Sequence, residues 1–245
     1  MSDNNAIWVH ASHHDGRIDP VALELLGRAH QLAEQADAVV EAVVVGHQVE
    51  PLASQLLHAG AARVRVLDHP DLAPFSTMVH ARAIAGAVAR HHPQALLLGA
   101  DHENAALAAR LAARLGTGLS AHCVDLKIER GLLVQTVPGF GGQLMANIVC
   151  PHHRPQMATV MAGVFQPVIT ATAAEVVHEP VDVPPIPNLP REIERRVRPT
   201  AGAAALGVAD VVVAGGFGVG SKQRWSLVEE LAGLLHGAVG ATRPP

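Results

Sequence analysis

Apolar residues recur along this chain with two different spacings, and the spacing switches several times. Ala6 to Val9 is a short apolar run that predicts a first strand. Asp19-Pro20 then marks a helix start, with a carboxylate placed to cap and Pro at the first helical position. Val21, Leu25, Ala29 and Leu32 follow on one face. Residues 38–45 (Ala-Val-Val-Glu-Ala-Val-Val-Val) are almost wholly apolar, as a strand covered on both sides must be, and Gly46 ends them. Leu52 to His58 reads as a short helix and Arg63 to Leu67 alternates like a strand. Thr77 to His91 carries Val79, Ala83, Ala87 and Val88 at helical spacing, with His91-His92 closing the helix. Ala95 to Gly99 is a second buried strand, and Asn104 to Leu115 a helix stopped by Gly116. This alternation predicts an α/β fold, a mostly parallel sheet with helices on both faces.

After Gly116 the helices cease. Residues 119–128, 132–136, 143–149 and 157–160 read as short strands separated by Gly or Pro, and residues 168–177 as a further candidate. Antiparallel additions to the parallel sheet are the expectation. Residues 179–190 contain five Pro in twelve positions, which predicts an extended, semi-rigid linker. The charged run Arg191 to Arg198 follows, and residues 201–209 read as a short helix. The expected division is a first domain over 1–178, a linker over 179–199 and a second α/β unit from 200 onward. That second unit begins as strand (Asp210 to Ala214), glycine turn (Gly215-Gly-Phe-Gly-Val-Gly-Ser221) and amphipathic helix (Trp225 to His236). Backbone N–H groups of such a turn, and the helix start behind it, can hold a phosphate. Glu229 and Glu230 come too early to be the ribose partner of a nicotinamide fingerprint.

Composition narrows the function classes. Of 245 residues, 49% are hydrophobic and 16% charged, and no window reaches the ~18–20 unbroken apolar residues of a membrane helix. The start, Met-Ser-Asp-Asn-Asn, lacks the basic region of a secretory signal. A net charge of −4 with 2% aromatics opposes nucleic-acid binding. Cys123 and Cys150 form no disulfide framework or zinc set, and their apolar neighbours predict buried free thiols in a reducing, cytoplasmic compartment. Among the sixteen histidines, His10, His13 and His14 (with Asp15) cluster, as do His152 and His153 beside Cys150. Neither cluster has a matching second half, so surface loops, and no metal, are expected. Glu103-Asn104 stands where a carboxyl-edge loop would meet a ligand. No nucleophile elbow or catalytic carboxylate pair is visible.

Three passages together resemble the alpha subunit of electron transfer flavoproteins. They are residues 109–121 (Ala-Arg-Leu-Ala-Ala-Arg-Leu-Gly-Thr-Gly-Leu-Ser-Ala), residues 135–160 (from Gln-Thr-Val-Pro-Gly-Phe-Gly-Gly through Cys150-Pro151 to Arg154-Pro-Gln-Met-Ala-Thr-Val), and the terminal strand, Gly-Gly turn, helix and Gly237-Ala-Val-Gly-Ala-Thr242-Arg243. The resemblance implies an adenine-nucleotide-hydrolase-like first domain, docked on a beta subunit in a heterodimer, and the start of a FAD-binding domain. It implies an electron carrier with no substrate chemistry of its own, between flavin-linked dehydrogenases and a downstream quinone reductase or other acceptor. Cofactor contacts would fall on Phe217, Gly218, Thr242 and Arg243. Phe217 stands where the family usually has Arg, and Thr242-Arg243 where it has Ser-Arg. Phe140-Gly141-Gly142, which by itself reads as a turn between strands, lies near the family's subunit interface. The family continues with a long stretch that supplies most hydrogen bonds to FAD. This chain stops before it, so a trimmed chain and a naturally short one both stay open. Two further readings also remain, a flavin-free scaffold subunit and an adenine-nucleotide-binding module.

Overall fold

The computed structural model describes residues 5–168, 175–183, 206 and 209–242. Its contacts divide the chain into two compact units, 1–189 and 190–245. The expected helix over 201–209 and the charged run 191–198 fall almost wholly outside the described residues.

In the first unit, β1 (Ala6–His10) is followed by a minimal hairpin, β2 (His13–His14) and β3 (Arg17–Ile18). Then come α1 (Pro20–Ala36), β4 (Val39–Gly46), α2 (Ala53–His58), β5 (Arg63–Asp68), α3 (Thr77–His91), β6 (Ala95–Gly99) and α4 (His102–Leu115). The later strands are β7 (Leu119–Cys123), β8 (Asp125–Glu129), β9 (Leu132–Gly139), β10 (Leu144–Ile148), β11 (Gln156–Val160) and β12 (Glu175–His178).

Among the described residues, seven strands form one sheet in the order β12-β5-β4-β1-β6-β11-β7, with every pairing parallel. β1 lies at its centre, with Ile7 paired to Val40 and to Ala95. Alternate residues of a strand face opposite ways. Ile7 and Val9 accordingly pack with α1 and α2, while Trp8 packs with α3 and α4. Leu25, Leu26 and Leu32 of α1 are fully buried, each worth about 1.5–3 kcal/mol of hydrophobic stabilisation.

Several expectations need correction. The late strands β7, β11 and β12 extend the parallel sheet in parallel, and the antiparallel strands form a separate sheet, β10-β9-β8. The expected strand over 119–128 is two strands, parted at Val124, and His122 in the left-handed region (φ 58°) marks an irregularity within β7, where its register against β11 shifts. Asp19 occupies the N-cap of α1 but does not cap it. Its carboxylate accepts from His14 Nδ1 at 2.9 Å instead. Cys123 is buried, whereas Cys150 is only half-buried. Of the candidate strand over 168–177, residues 169–174 lie outside the described residues and Glu175–His178 forms β12.

The segment just after β12 belongs to the first unit. Glu179 is buried, and its Oε1 accepts from Arg65 Nη1 at 2.5 Å and its Oε2 from Arg90 Nη2 at 3.0 Å. Arg65 also donates to Glu41 at 2.5 Å and lies 5.1 Å over the Trp8 ring. His91, which also closes α3, lies 2.8 Å from Glu179. Burial alone would raise the Glu179 pKa, but the bonds from Arg90, His91 and Arg65 hold it below the usual carboxylate range.

Candidate functional site

The second unit places the glycine turn between two parallel strands, β13 (Val212–Gly215) and β14 (Ala238–Ala241), with α5 (Trp225–Leu234) between them in sequence. Val212 pairs with Ala238 and Gly215 with Ala241, so both strands end at the same level. The residues that follow, Gly216 to Gly218 on one strand and Thr242 on the other, therefore share one carboxyl edge. That edge is where open parallel sheets bind ligands.

Side-chain volume dictates glycine at two turn positions. A β-carbon on Gly215 would lie 2.6 Å from the Trp225 ring, because α5 closes directly onto the strand end. A β-carbon on Gly216 would lie 2.6 Å from Thr242 Oγ1. The Thr242 N–H donates to the Gly215 carbonyl at 3.0 Å, which fixes the hydroxyl against the turn. Val219 and Gly220 donate back to Gly216 and Phe217, each at 3.0 Å, and Gly220 (φ 76°) takes the left-handed conformation that closes the bend.

Gly218 faces open space, and the Phe217 ring is 88% exposed. A cleft of 420 Å³ opens beside them, lined also by Ser221, Lys222 and Trp225. Ser221 Oγ accepts the Arg224 N–H at 3.3 Å and so starts the helical turn leading into α5. The edge brings Phe217, Gly218 and Thr242 together, and Arg243 lies outside the described residues. Lys222, not anticipated from sequence, adds a cation to the same cleft. Its signal was there: a capping Ser followed by a base, immediately after the glycine turn.

These residues fit a flavin nucleotide at its polar edge. The turn lets a ligand approach the backbone at Gly218, Thr242 is an exposed residue with its hydroxyl beside the turn, and Lys222 supplies positive charge. Phe217 supplies an apolar face in place of a cation.

In the first unit, the carboxyl edge near Glu103-Asn104 is taken up by internal bonds. Asp101 accepts from the Asn104 N–H at 2.9 Å and from its side-chain amide at 2.5 Å. His10 is buried, not a surface residue, and burial followed by repulsion from His80 lowers its pKa to about 4. His80 is likewise lowered to about 4, mainly by burial. No group of His, Cys, Asp and Glu that could hold a metal occurs among the described residues. No helix there is long and apolar enough to cross a membrane.

Beyond the sheet, the loop joining β9 to β10 carries exposed apolar side chains. Phe140 is 83% exposed, and Leu144, Met145, Ile148 and Val149 follow it on or beside β10. Gly141 and Gly142 have positive φ (69° and 87°), so this loop is a turn between strands whose tip is apolar.

Residues 7–184 match the electron transfer flavoprotein domain, and residues 205–245 match the electron transfer flavoprotein FAD-binding domain. The chain is 40% identical over 247 residues to the electron transfer flavoprotein subunit alpha of Clostridium acetobutylicum, covering 99% of this chain and 74% of that one. It is 39% identical to the subunit of the same name from Thermoanaerobacterium thermosaccharolyticum, over 99% of this chain and 74% of that one. Protein FixB of Clostridium saccharobutylicum is 38% identical, over 99% and 73%. These matches do not favour the scaffold or nucleotide-module readings. Fold, turn and both domain matches agree that the chain belongs to the electron transfer flavoprotein family, as an alpha subunit.

Proposed function

We propose that this chain is the alpha subunit of an electron carrier. It takes electrons from flavin-linked dehydrogenases and passes them to a downstream acceptor, a quinone reductase or another protein, through FAD held together with a beta subunit. The chain performs no substrate chemistry of its own. The carrying observation is the shared carboxyl edge of β13 and β14, where Gly216, Phe217, Gly218 and Thr242 meet within the residues matched to the FAD-binding domain.

FAD, when bound, supplies the electron-accepting ring. The chain's own residues do the rest. Thr242 offers its hydroxyl to the nucleotide, and Lys222 and Arg243 oppose its phosphate charge. The Phe217 ring covers one side of the cleft and excludes water. With Phe217 in place of a cation, less positive charge stands near the flavin, so its reduced form gains less stabilisation.

The beta subunit docks on the β9–β10 ribbon. Exposed apolar side chains at the ribbon's tip (Phe140) and on both faces of β10 (Leu144 and Ile148 on one, Met145 on the other) are costly to leave in water and suit the apolar centre of a stable interface. Phe140→Asp combined with Met145→Asp should abolish co-purification with the beta subunit while leaving the circular dichroism spectrum unchanged. Undiminished co-purification would remove this docking face. Cytoplasmic residence is supported by two cysteines with no disulfide, one of them buried with its pKa pushed up to about 12.

A further inference from the structure

The chain is poor in aromatic rings, with four Phe, two Trp and no Tyr. The second unit holds two of them, Phe217 and Trp225, and both line the 420 Å³ cleft beside the glycine turn. Most rings of the first unit have partners inside the protein. Trp8 is fully buried under Arg65, Phe165 lies under Arg28, and Phe75 packs against His80. Phe140 and Phe217 are the two most exposed aromatics among the described residues. Phe140 stands on the ribbon assigned above to the beta subunit. No packing among the described residues accounts for the Phe217 ring.

The two rings of the cleft differ in freedom. Trp225 opens α5, and its ring lies 2.6 Å from where a β-carbon on Gly215 would be, so it is fixed against the end of β13. Phe217 is fixed at its backbone only. Its carbonyl accepts the Gly220 N–H at 3.0 Å, and the Gly216 carbonyl accepts the Val219 N–H at 3.0 Å. The next residue, Gly218, faces open space. A rigid turn thus presents a ring that can pivot over a flat ligand, while the Trp225 wall is already in place.

The lining selects the kind of group that enters. Apart from the two rings it is mostly backbone and apolar, with Gly216, Val219 and Gly220. The Ser221 hydroxyl oxygen already accepts the Arg224 N–H, and Lys222 is the one cation among the lining residues. A diphosphate calls for many converging donors. An apolar cleft with aromatic side chains calls for a flat ring with an apolar face. Its volume falls at the low end of the ~300–1,000 Å³ of small-molecule pockets, room for one ring system of a dinucleotide. Offset stacking on an aromatic side chain strengthens the binding of such a ring by a factor of about two to ten beyond area burial.

We propose that Phe217 stacks on a planar heteroaromatic ring of the bound nucleotide, held in the cleft against Trp225. This inference rests on the FAD-binding role stated above. The isoalloxazine and the adenine of FAD share the required chemistry. Phe217 acts here as a binding residue whose stacking sets how long the cofactor stays.

The test uses the complex with the beta subunit, FAD bound, and follows release of FAD after dilution by ultrafiltration. Phe217→Ala should speed release about tenfold. Phe217→Tyr should keep the wild-type rate, since a ring returns. Phe217→Leu should not, since it is apolar but not planar. The visible absorbance of the bound flavin identifies the ring. Bands that shift in Phe217→Ala, together with faster release, place the isoalloxazine in the cleft. Bands that stay while release quickens place the adenine there. Unchanged release in Phe217→Ala would overturn the proposal. So would a Phe217→Leu complex as retentive as the wild type, which would reduce the ring to an apolar cover. Loss of the beta subunit from Phe217→Ala on size exclusion would overturn it too, by assigning the ring to the subunit interface. A wild-type complex that holds no FAD sinks the carrier function and this stacking with it. A wild type and Phe217→Ala that hold FAD alike sink the stacking alone.

Discussion

The hydroxyl of Thr242 sits 2.6 Å from where a β-carbon on Gly216 would be, so the end of one strand and the glycine turn of the other are fitted by direct contact. Gly216 has an extended backbone (φ −140°, ψ −159°) that any residue adopts, so the requirement for glycine there is one of space alone. Gly216→Ala should therefore push Thr242 away and lower FAD retention several-fold. Thr242→Ala in the same chain should relieve the clash and restore the turn, though not the hydroxyl. Flavin content after gel filtration of the beta-subunit complex checks this. Losses that simply add in the double variant would show that the two residues are not coupled.

Arg65 is the shared partner of two buried carboxylates, Glu41 and Glu179. Arg65→Met would leave both without it in a site with little water, a change that typically costs about 3–5 kcal/mol. Urea denaturation should show a midpoint shift of that size in the first unit. Substituting Glu41 and Glu179 by Gln in the same chain should recover part of the loss. A shift under about 1 kcal/mol for Arg65→Met would mean that water reaches these carboxylates.

His10 and His80 make stability depend on pH in a set direction. Both stay neutral in the fold down to a pKa of about 4, against about 6.5 when unfolded. Between those values the unfolded chain binds more protons, so stability is complete above pH 6.5 and is lost as pH falls toward 4. Each histidine contributes a slope of up to about 1.4 kcal/mol per pH unit in that window. Thermal melts of the wild type should drop from pH 7 to pH 5, and His10→Gln should flatten the drop. An equally steep drop in His10→Gln would assign the effect to other groups.

Phe217→Arg should raise the flavin reduction potential, because a cation near the ring stabilises its reduced form. Spectrophotometric titration of the beta-subunit complex measures it. An unchanged potential would place Phe217 away from the ring.

The sequence displayed those parts of the fold that are local. The apolar run of β4, the helical spacing of α3 and the closing Gly116 of α4 all stand in short windows, and each element forms there. What escaped depends on distant partners. β12 pairs with β5 across more than a hundred residues, and Glu179 looked like linker because its arginines, Arg65 and Arg90, lie 114 and 89 residues away in sequence. The irregularity that ends β7 next to Val124 comes with His122 in a left-handed conformation, which no glycine announces. Asp19 was legible as a cap position, but His14, brought close by the β2–β3 hairpin, competes for its carboxylate. At the candidate site, the turn and the family pattern point to Phe217, Gly218 and Thr242, whereas Lys222 is visible only once the cleft has walls.

The most direct test of the carrier function is an absorbance spectrum from 300 to 550 nm of the complex purified through this chain with its beta subunit, before and after adding a flavin-linked dehydrogenase and its substrate. Flavin bands that bleach on that addition are the expected result. A complex without flavin bands, or with bands that persist although dithionite bleaches them, would contradict the carrier function.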